Sequence, residues 1–487
     1  MKRNLIHLFL IAAVLASAVS CGSEAAETPV GGTSVPDAET TEAAPEPDYL
    51  ETLATDAYAG RTLRIFDAND HPEMHINVAL DEQNGDLVND ALFDRDRLME
   101  ETFGITFAYT LSPGTAEARN SCRKLDKAVI AGDDEWDFVY SCLLGSALST
   151  SASSGTLYNL LDIDVLSLQD AWWSAKLYDT LNLNNAMYFT TGDISPSVYQ
   201  GCNVMFANTD LLNEYNIEDD LMSVALDGKW TLDYLFSLTK DTDRDVNADG
   251  KFSVQDDFMG LNYHTQPSSL LAGTDAHTVI LNDNKDGFIL NFDDEHNVDV
   301  AQKIFQNTLA AENKLGNDGP KLMFLEGRSI FFAHAVEVAL SHFREMEDDY
   351  IILPMPKSDE GQKDYISSYS GWISSYVAVP ITADTEFAGT MMEAMAYIGY
   401  RDIRPKAYEL VYKQKALRDE RSGMVLDLSF NNVFLDFNTV FDFGGSNGVL
   451  ANAACGKGEL ISGLEKVRSA TEKAIAEFAE TWSNSNT

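Results

Sequence analysis

The stretch DLVNDALFDRDRLMEETFGITFAYT, residues 86–110, holds one helix and the strand that follows it, and how it reads decides the fold. Val88, Leu92, Arg95 and Met99 recur every three or four residues, the spacing of one helix face. Asp86 precedes them as an N-cap, and Gly104 stops the run, because glycine enters the left-handed conformation that ends helices without steric cost. ITFAYT (105–110) reads as a strand. Upstream, RTLRIFDA (61–68) is a buried strand ending at a polar loop, 69–73. Downstream, Ala116 to Ile130 reads as a second helix and WDFVYSCL (136–143) as a third strand. Strands alternating with helices imply a parallel sheet, since parallel neighbours need long crossovers.

The alternation returns later with other partners. NVMFANTDLLNEY (203–215) is a strand running into a helix, WTLDYLFSLTK (230–240) is helical, and so are Val298 to Lys314 and Asp384 to Tyr400. YIILPMP (350–356) and WISSYVAVP (372–380) read as strands ended by proline, and Leu460 to Trp482 as an amphipathic helix. No internal repeat is visible. A chain of 487 residues suggests about three units, or two large ones with extensions. With 34 basic against 77 acidic residues the net charge is -43, which repels nucleic acid and argues against a basic surface on anionic lipid.

The N-terminus has an export pattern. Lys2 and Arg3 precede an apolar run, Leu5 to Val19, that is shorter than the roughly 20 residues a permanent spanning helix needs. The run ends in ASAVSC (16–21), which resembles the lipobox of bacterial lipoproteins and implies lipidation of Cys21, with residues 1–20 removed as a signal peptide. Ala18 stands where leucine is commonest. GSEAAETPVGGTSVPDAETTEAAPEP (22–47) then supplies a small, acidic segment unable to bury enough apolar surface to fold, so residues 21–57 are expected to be a flexible acidic tether. Cys122, Cys142, Cys202 and Cys455 are too widely spaced for a zinc module and are expected to be buried thiols, with pairing the alternative.

DVNADGKFSVQD (245–256) matches a twelve-residue calcium loop. Asp245, Asn247, Asp249 and Asp256 take positions 1, 3, 5 and 12; Lys251 offers its carbonyl at 7 and Ser253 its hydroxyl at 9. Gly250 makes the turn at position 6. The loop is single, and the following FMGLNYH is too apolar and too soon interrupted by Gly260 for a sensor's exiting helix, so one structural Ca2+ is expected. GGSNG (444–448) fits a nucleophile elbow, yet all eight histidines precede Ser446, the wrong order for that fold; it reads as a glycine-rich turn.

In order and spacing, NGDLVNDALFDRDRLMEETFGI, NVMFANTDLLNEYNI, the pair WTLDYLFSLTK and DRDVNADGKFSVQDDFMGL, MFLEGRSIFF followed by DDYIILPMPKSDEGQKDY, and VYKQKALRDERSGMVLDL resemble one family. It is the extracellular solute-binding lipoproteins of ABC importers, in the sugar-binding branch that includes maltose-binding protein, matched from about Arg61 to the C-terminus. The resemblance implies an α/β, periplasmic-binding-protein-like fold of two lobes with a hinge and an interlobe ligand cleft. Carried onto this chain, one lobe comprises 58–202 with 350–402, the other 203–349 with 403–487. It also implies a non-enzymatic protein, lipid-anchored on the outer face of the bacterial cell membrane, that delivers a small solute, a carbohydrate, to a permease. The alternatives are a surface glycoside hydrolase, which needs two cleft carboxylates that 77 acidic residues do not exclude, and a calcium-dependent adhesion or scaffold protein.

Sugar sites combine flat aromatic faces with carboxylates, amides and imidazoles, beyond the carboxyl ends of strands. Asp70 and Glu73 follow the first strand, Asp193 and Tyr199 precede the first crossing, and Tyr263 and His264 follow the calcium segment. His334 lies where the family often presents a contact, Trp372 begins a returning strand, and Trp172 and Trp173 form a conspicuous pair for which core packing is the default. Trp372, Asp193 and Tyr199 lead these candidates.

Overall fold

In the computed structural model, which describes residues 48–69, 76–78, 81–112, 118–143, 147–263, 267–308, 319–412, 421–446 and 448–484, the apolar runs gather on two four-stranded sheets. The first joins β1 (Thr62–Asp67), β2 (Thr106–Leu111), β3 (Phe138–Ser141) and β11 (Tyr376–Ala378) in the order β11, β3, β1, β2. β1 is parallel to β2 and β3, and β11 is antiparallel to β3. The crossovers are α2 (Leu87–Phe103) and α3 (Ala118–Ala131). Asp86 accepts hydrogen bonds from the N–H groups of Val88 and Asn89, and Gly104 ends α2 at φ 65°. The expected face of α2, Val88, Leu92, Arg95 and Met99, is the buried one.

The second sheet joins β4 (Asn203–Asn208), β5 (Met259–Tyr263), β8 (Ser329–Ala335) and β9 (Tyr350–Leu353) in the order β5, β8, β4, β9. Both of its faces are covered. Met205 and Ala207 point into one core with Leu261 and Phe331, while Val204 and Phe206 point into another with Phe332 and Ile352. The segment after the calcium loop is therefore strand β5 and not an exiting helix.

Among the described residues, three segments that pass between the lobes lie side by side. The chain leaves the first lobe at Gly201–Asn203, returns through β10 (Ser367–Ser368), and passes again at β12 (Val433–Phe434), which pairs parallel with β10. Ser370 N–H donates to Gly201 O at 2.7 Å, and Asn203 Nδ2 donates to Ser368 O and Oγ, each at 3.0 Å.

These links correct the expected boundaries. β9 adds antiparallel to β4, so the chain does not re-enter the first lobe at 350 but at β10. Nor does everything beyond 403 belong to the second lobe: Leu435, Phe437, Val440 and Phe443 are buried in the first lobe's core. The hairpin of β6 (Val279–Leu281) and β7 (Phe288–Leu290), an offshoot of the second lobe, also reaches that core through Val279 and Phe288. The final helix is α9 in chain order, after α4 (Leu232–Thr239), α5 (Glu295–Asn307), α6 (Thr385–Ile398), α7 (Arg404–Tyr412) and α8 (Arg421–Phe430). α9 (Leu460–Asn484) starts among second-lobe residues with Leu460 and Leu464, and its Ile475 and Trp482 end in the first core.

The folded body begins earlier in the chain than expected. α1 (Tyr49–Leu53) and the turn Asp56–Tyr58 belong to the folded body, because Leu50 and Tyr58 are buried and α1 lies on α6. Residues 1–47, including Cys21, lie outside the described residues. Among the described residues no helix is long and apolar enough to cross a membrane. Cys122, Cys142 and Cys202 are buried thiols and Cys455 a half-buried one, none of them in a disulfide. Gly444, Gly445 and Gly448 all have positive φ, and Ser446 donates its hydroxyl to Phe443 O at 2.7 Å, so this segment is a turn.

Candidate functional site

Beyond the carboxyl end of β1 the chain builds a buried polar floor. Asp67 Oδ1 accepts from Asn69 Nδ2 at 2.8 Å, and Ser375 Oγ, just before β11, accepts from both Asn69 Nδ2 and Asn77 Nδ2 at 3.0 Å. Ser195 donates to Asn77 Oδ1, and Ser375 N–H donates to Ser197 Oγ at 2.7 Å, which ties in the turn that leads to the first crossing. Beneath it, Arg95 donates through Nε and Nη2 to Asp96 Oδ1 at 2.9 and 2.7 Å, and Tyr109 donates to Asp96 Oδ2 at 2.8 Å. Burial raises the Tyr109 hydroxyl well above its ordinary value, so it stays a donor. Carboxyl ends of parallel strands are where open α/β sheets hold ligands, but the floor's side chains are at most 1% exposed, so here they brace the turns around such a site and do not line it.

Two predicted contacts stand at those crossings. Trp372 follows β10 and is 38% exposed. His334 is half-buried near the end of β8, opposite Val204, and its Nδ1 lies 3.2 Å from Ala335 O. Asp70, Glu73 and His264 lie outside the described residues.

The remaining candidates are turned inward. Asp193 is buried beneath Arg404, whose Nη2 and Nε donate to its two oxygens at 2.6 and 3.0 Å, and Tyr199 donates its hydroxyl to the same carboxylate. Burial pushes Asp193 up to about 7 against the opposing pull of Arg404. Tyr199 is packed among Val88, Leu92 and Ile403. These two residues lock the turn before the crossing onto α7, so they position the hinge and are corrected from ligand contacts to internal ones. Trp172 and Trp173 are corrected likewise: both indole N–H groups donate to buried Glu393 on α6, at 2.9 Å each, joined by Ser167 N–H and the Tyr49 hydroxyl at 3.1 Å. Burial raises the Glu393 carboxyl, and the four donors oppose that rise. Tyr263 is 2% exposed in the second core and cannot meet a cleft ligand there. Arg404, Glu393, Asn69, Asn77 and Ser375 carry the arrangement and were not foreseen from sequence; each has a partner more than 100 residues away.

The 245–256 loop has the turn geometry its sequence predicts. Asp245 accepts from Asp249 N–H at 3.2 Å and from Gly250 N–H at 2.8 Å, Asn247 Oδ1 from Asp249 N–H at 2.9 Å, and Asp249 from Lys251 N–H at 2.9 Å. Asn247 Nδ2 reaches Asp256 Oδ2 at 2.8 Å, so the side chains of positions 3 and 12 meet. Asp257, unforeseen from sequence, is fully buried and ties the loop together by accepting from Val246 and Ser253 N–H, both at 2.8 Å. Among the described residues no three His, Cys, Asp or Glu side chains form a group placed to hold a metal ion. The loop's donor set is carboxylates, an amide, a hydroxyl and a carbonyl, the hard oxygen chemistry that suits Ca2+.

No protein-family model matches the chain, and no curated protein matches it in sequence. Its fold is that of the two-lobed, sugar-binding substrate-binding proteins of ABC transporters. One similar solved structure is the GacH receptor of Streptomyces glaucescens, determined without ligand and with acarbose or a homologue; identity is 12%, coverage 86% of this chain and 99% of that one, and the TM-score 0.52. Another is the galacto-N-biose/lacto-N-biose I-binding protein of the ABC transporter from Bifidobacterium longum, with lacto-N-biose; the values are 13%, 86%, 98% and 0.54.

Proposed function

We propose that this protein captures a small carbohydrate between its lobes and hands it to the permease of an ABC importer. The observation that carries this is the pair of sheets joined by adjacent crossings, with an exposed tryptophan on the returning segment. Trp372 offers a flat apolar face for a sugar ring, while the buried polar network beyond β1 braces the turn before the first crossing. Capture then works by biasing the relative setting of the lobes, with no bond made or broken. Export through residues 1–20 and a lipid on Cys21 place the protein beside its permease, raising effective concentration without raising affinity.

Calorimetric titration against mono- and oligosaccharides, with mass spectrometry of the recovered sugar, tests the proposal. Intact sugar bound one to one supports it; cleaved sugar identifies a hydrolase, and no sugar binding removes carbohydrate as the solute. With a sugar identified, Trp372→Ala is expected to weaken binding at least about tenfold, near 1.4 kcal/mol; an unchanged Kd would take Trp372 out of the site.

We also propose one structural Ca2+ held by Asp245, Asn247, Asp249, Lys251 O, Ser253 and Asp256. An ion bound only by the folded chain stabilises it by mass action, about 2.7 kcal/mol at a hundredfold excess over Kd. Chelation is expected to lower the thermal midpoint, with Asp245→Ala removing the response; a midpoint indifferent to chelator would contradict the site. A partner retained only with calcium would instead favour an adhesion role.

A further inference from the structure

Trp482, near the end of α9, packs edge to face on Tyr188 of the first lobe at 4.6 Å between ring centroids and stacks on Phe478 at 4.7 Å. Phe478 meets Phe441 at 4.6 Å, and Phe288, at the tip of the β6–β7 hairpin, meets Phe437 at 4.8 Å. The first turns of the same helix are embedded in the second lobe's core. Beside this aromatic cluster a polar link also joins offshoot to lobe, Asn184 N–H donating to Lys285 O at 2.9 Å. At its root, His277 bridges Asp275 and Asp436, 3.0 Å from each, and Asn438 Nδ2 donates to Thr278 Oγ1 at 3.0 Å.

A helix of 25 residues is about 37 Å of rigid rod, and a rod seated in two bodies at its two ends resists any change in their angle unless one seat is given up. None of these contacts belongs to the three crossing segments. They form a second attachment of the lobes beside those crossings. We infer that α9 and the β6–β7 hairpin act as a strap that fixes one side of the two-lobed body, so that the lobes turn about the strap and do not swing freely on the crossings. The inference rests on the two-lobed fold alone and holds whatever the solute is.

The turn that bears on the helix offers a lever, because at Gly444 (φ 60°) an added Cβ would collide with the backbone of Ala470 and Thr471 on α9. Spin labels at Ile130→Cys in the first lobe and Leu322→Cys in the second, both exposed, report the lobe distance in the full chain with Cys21→Ser and Cys455→Ser. The parent should give one narrow distance distribution. Phe478→Ala with Trp482→Ala, and separately Gly444→Val, should broaden it roughly twofold or shift it while circular dichroism is kept. Strap variants that fold and stay as narrow as the parent would overturn the inference, as would a parent that is already broad. Should both variants unfold, hydrogen exchange of the parent decides. Amides of 475–482 protected as well as those of β1 support the strap, and amides exchanging at least about a hundredfold faster overturn it.

Discussion

Glu393→Ala is expected to destabilise the folded body by about 4 kcal/mol, because the alanine leaves four donors without an acceptor in a buried site, each costing about 1–3 kcal/mol with partial relaxation. The donors are the indoles of Trp172 and Trp173, the Tyr49 hydroxyl and Ser167 N–H. Urea unfolding followed by tryptophan fluorescence reads the loss. Glu393→Gln, which keeps one oxygen but turns a donor toward donors, is expected to fall between the two. A loss under about 1 kcal/mol in the alanine variant would mean that the tryptophan pair is held by packing alone.

Arg404→Ala is the second large effect, expected near 3 kcal/mol, because it removes the cation from a carboxylate with 1% side-chain exposure. The Arg404 side chain is itself 37% exposed, so solvent already screens the pair and the loss stays below that of a fully buried one. In an Asp193→Asn background the same substitution should cost less than about 1 kcal/mol; an undiminished cost would place Arg404's contribution elsewhere.

The pH dependence of stability follows from the same groups. Asp193, facing Arg404 and Tyr199, goes from 3.8 in the unfolded chain to about 7 when buried. The native state therefore binds more protons in that interval, and stability falls as pH rises through it. Burial works against charged His277, but Asp275 and Asp436, with His296 beside Asp275, raise it from 6.5 to about 9. Its contribution is full below 6.5 and is lost as pH rises through about 9. Both point the same way: the thermal midpoint should decline from about pH 5 to about pH 9.

The order of helices and strands was legible because apolar periodicity is local, and α2 shows it best: its cap, its buried face and its glycine stop all lie within one stretch. Which sheet a strand joins is not local. YIIL at 350 reads the same whether it adds to β3 or to β4, and only pairing across some 145 residues decides. The same distance effect misled the site. Trp172, Trp173, Asp193 and Tyr199 have the residue types of a sugar site, but Glu393 and Arg404, more than 200 residues away, turn them inward. Polar partners that far apart leave no mark on the neighbouring sequence. The turn at 245–256 was readable because its hydrogen bonds close within one short stretch, whereas the part of Asp257, one residue past the pattern, was not.

The entry of the chain into the folded body has a mechanical consequence. α1 is riveted to the first lobe by Tyr49 on Glu393 and by Asp48 on Arg401 at 2.8 Å. A pull on the amino end is therefore taken up by α6 before it reaches either sheet. Any part of that load that reaches the second lobe passes through the first, by way of the crossings or α9.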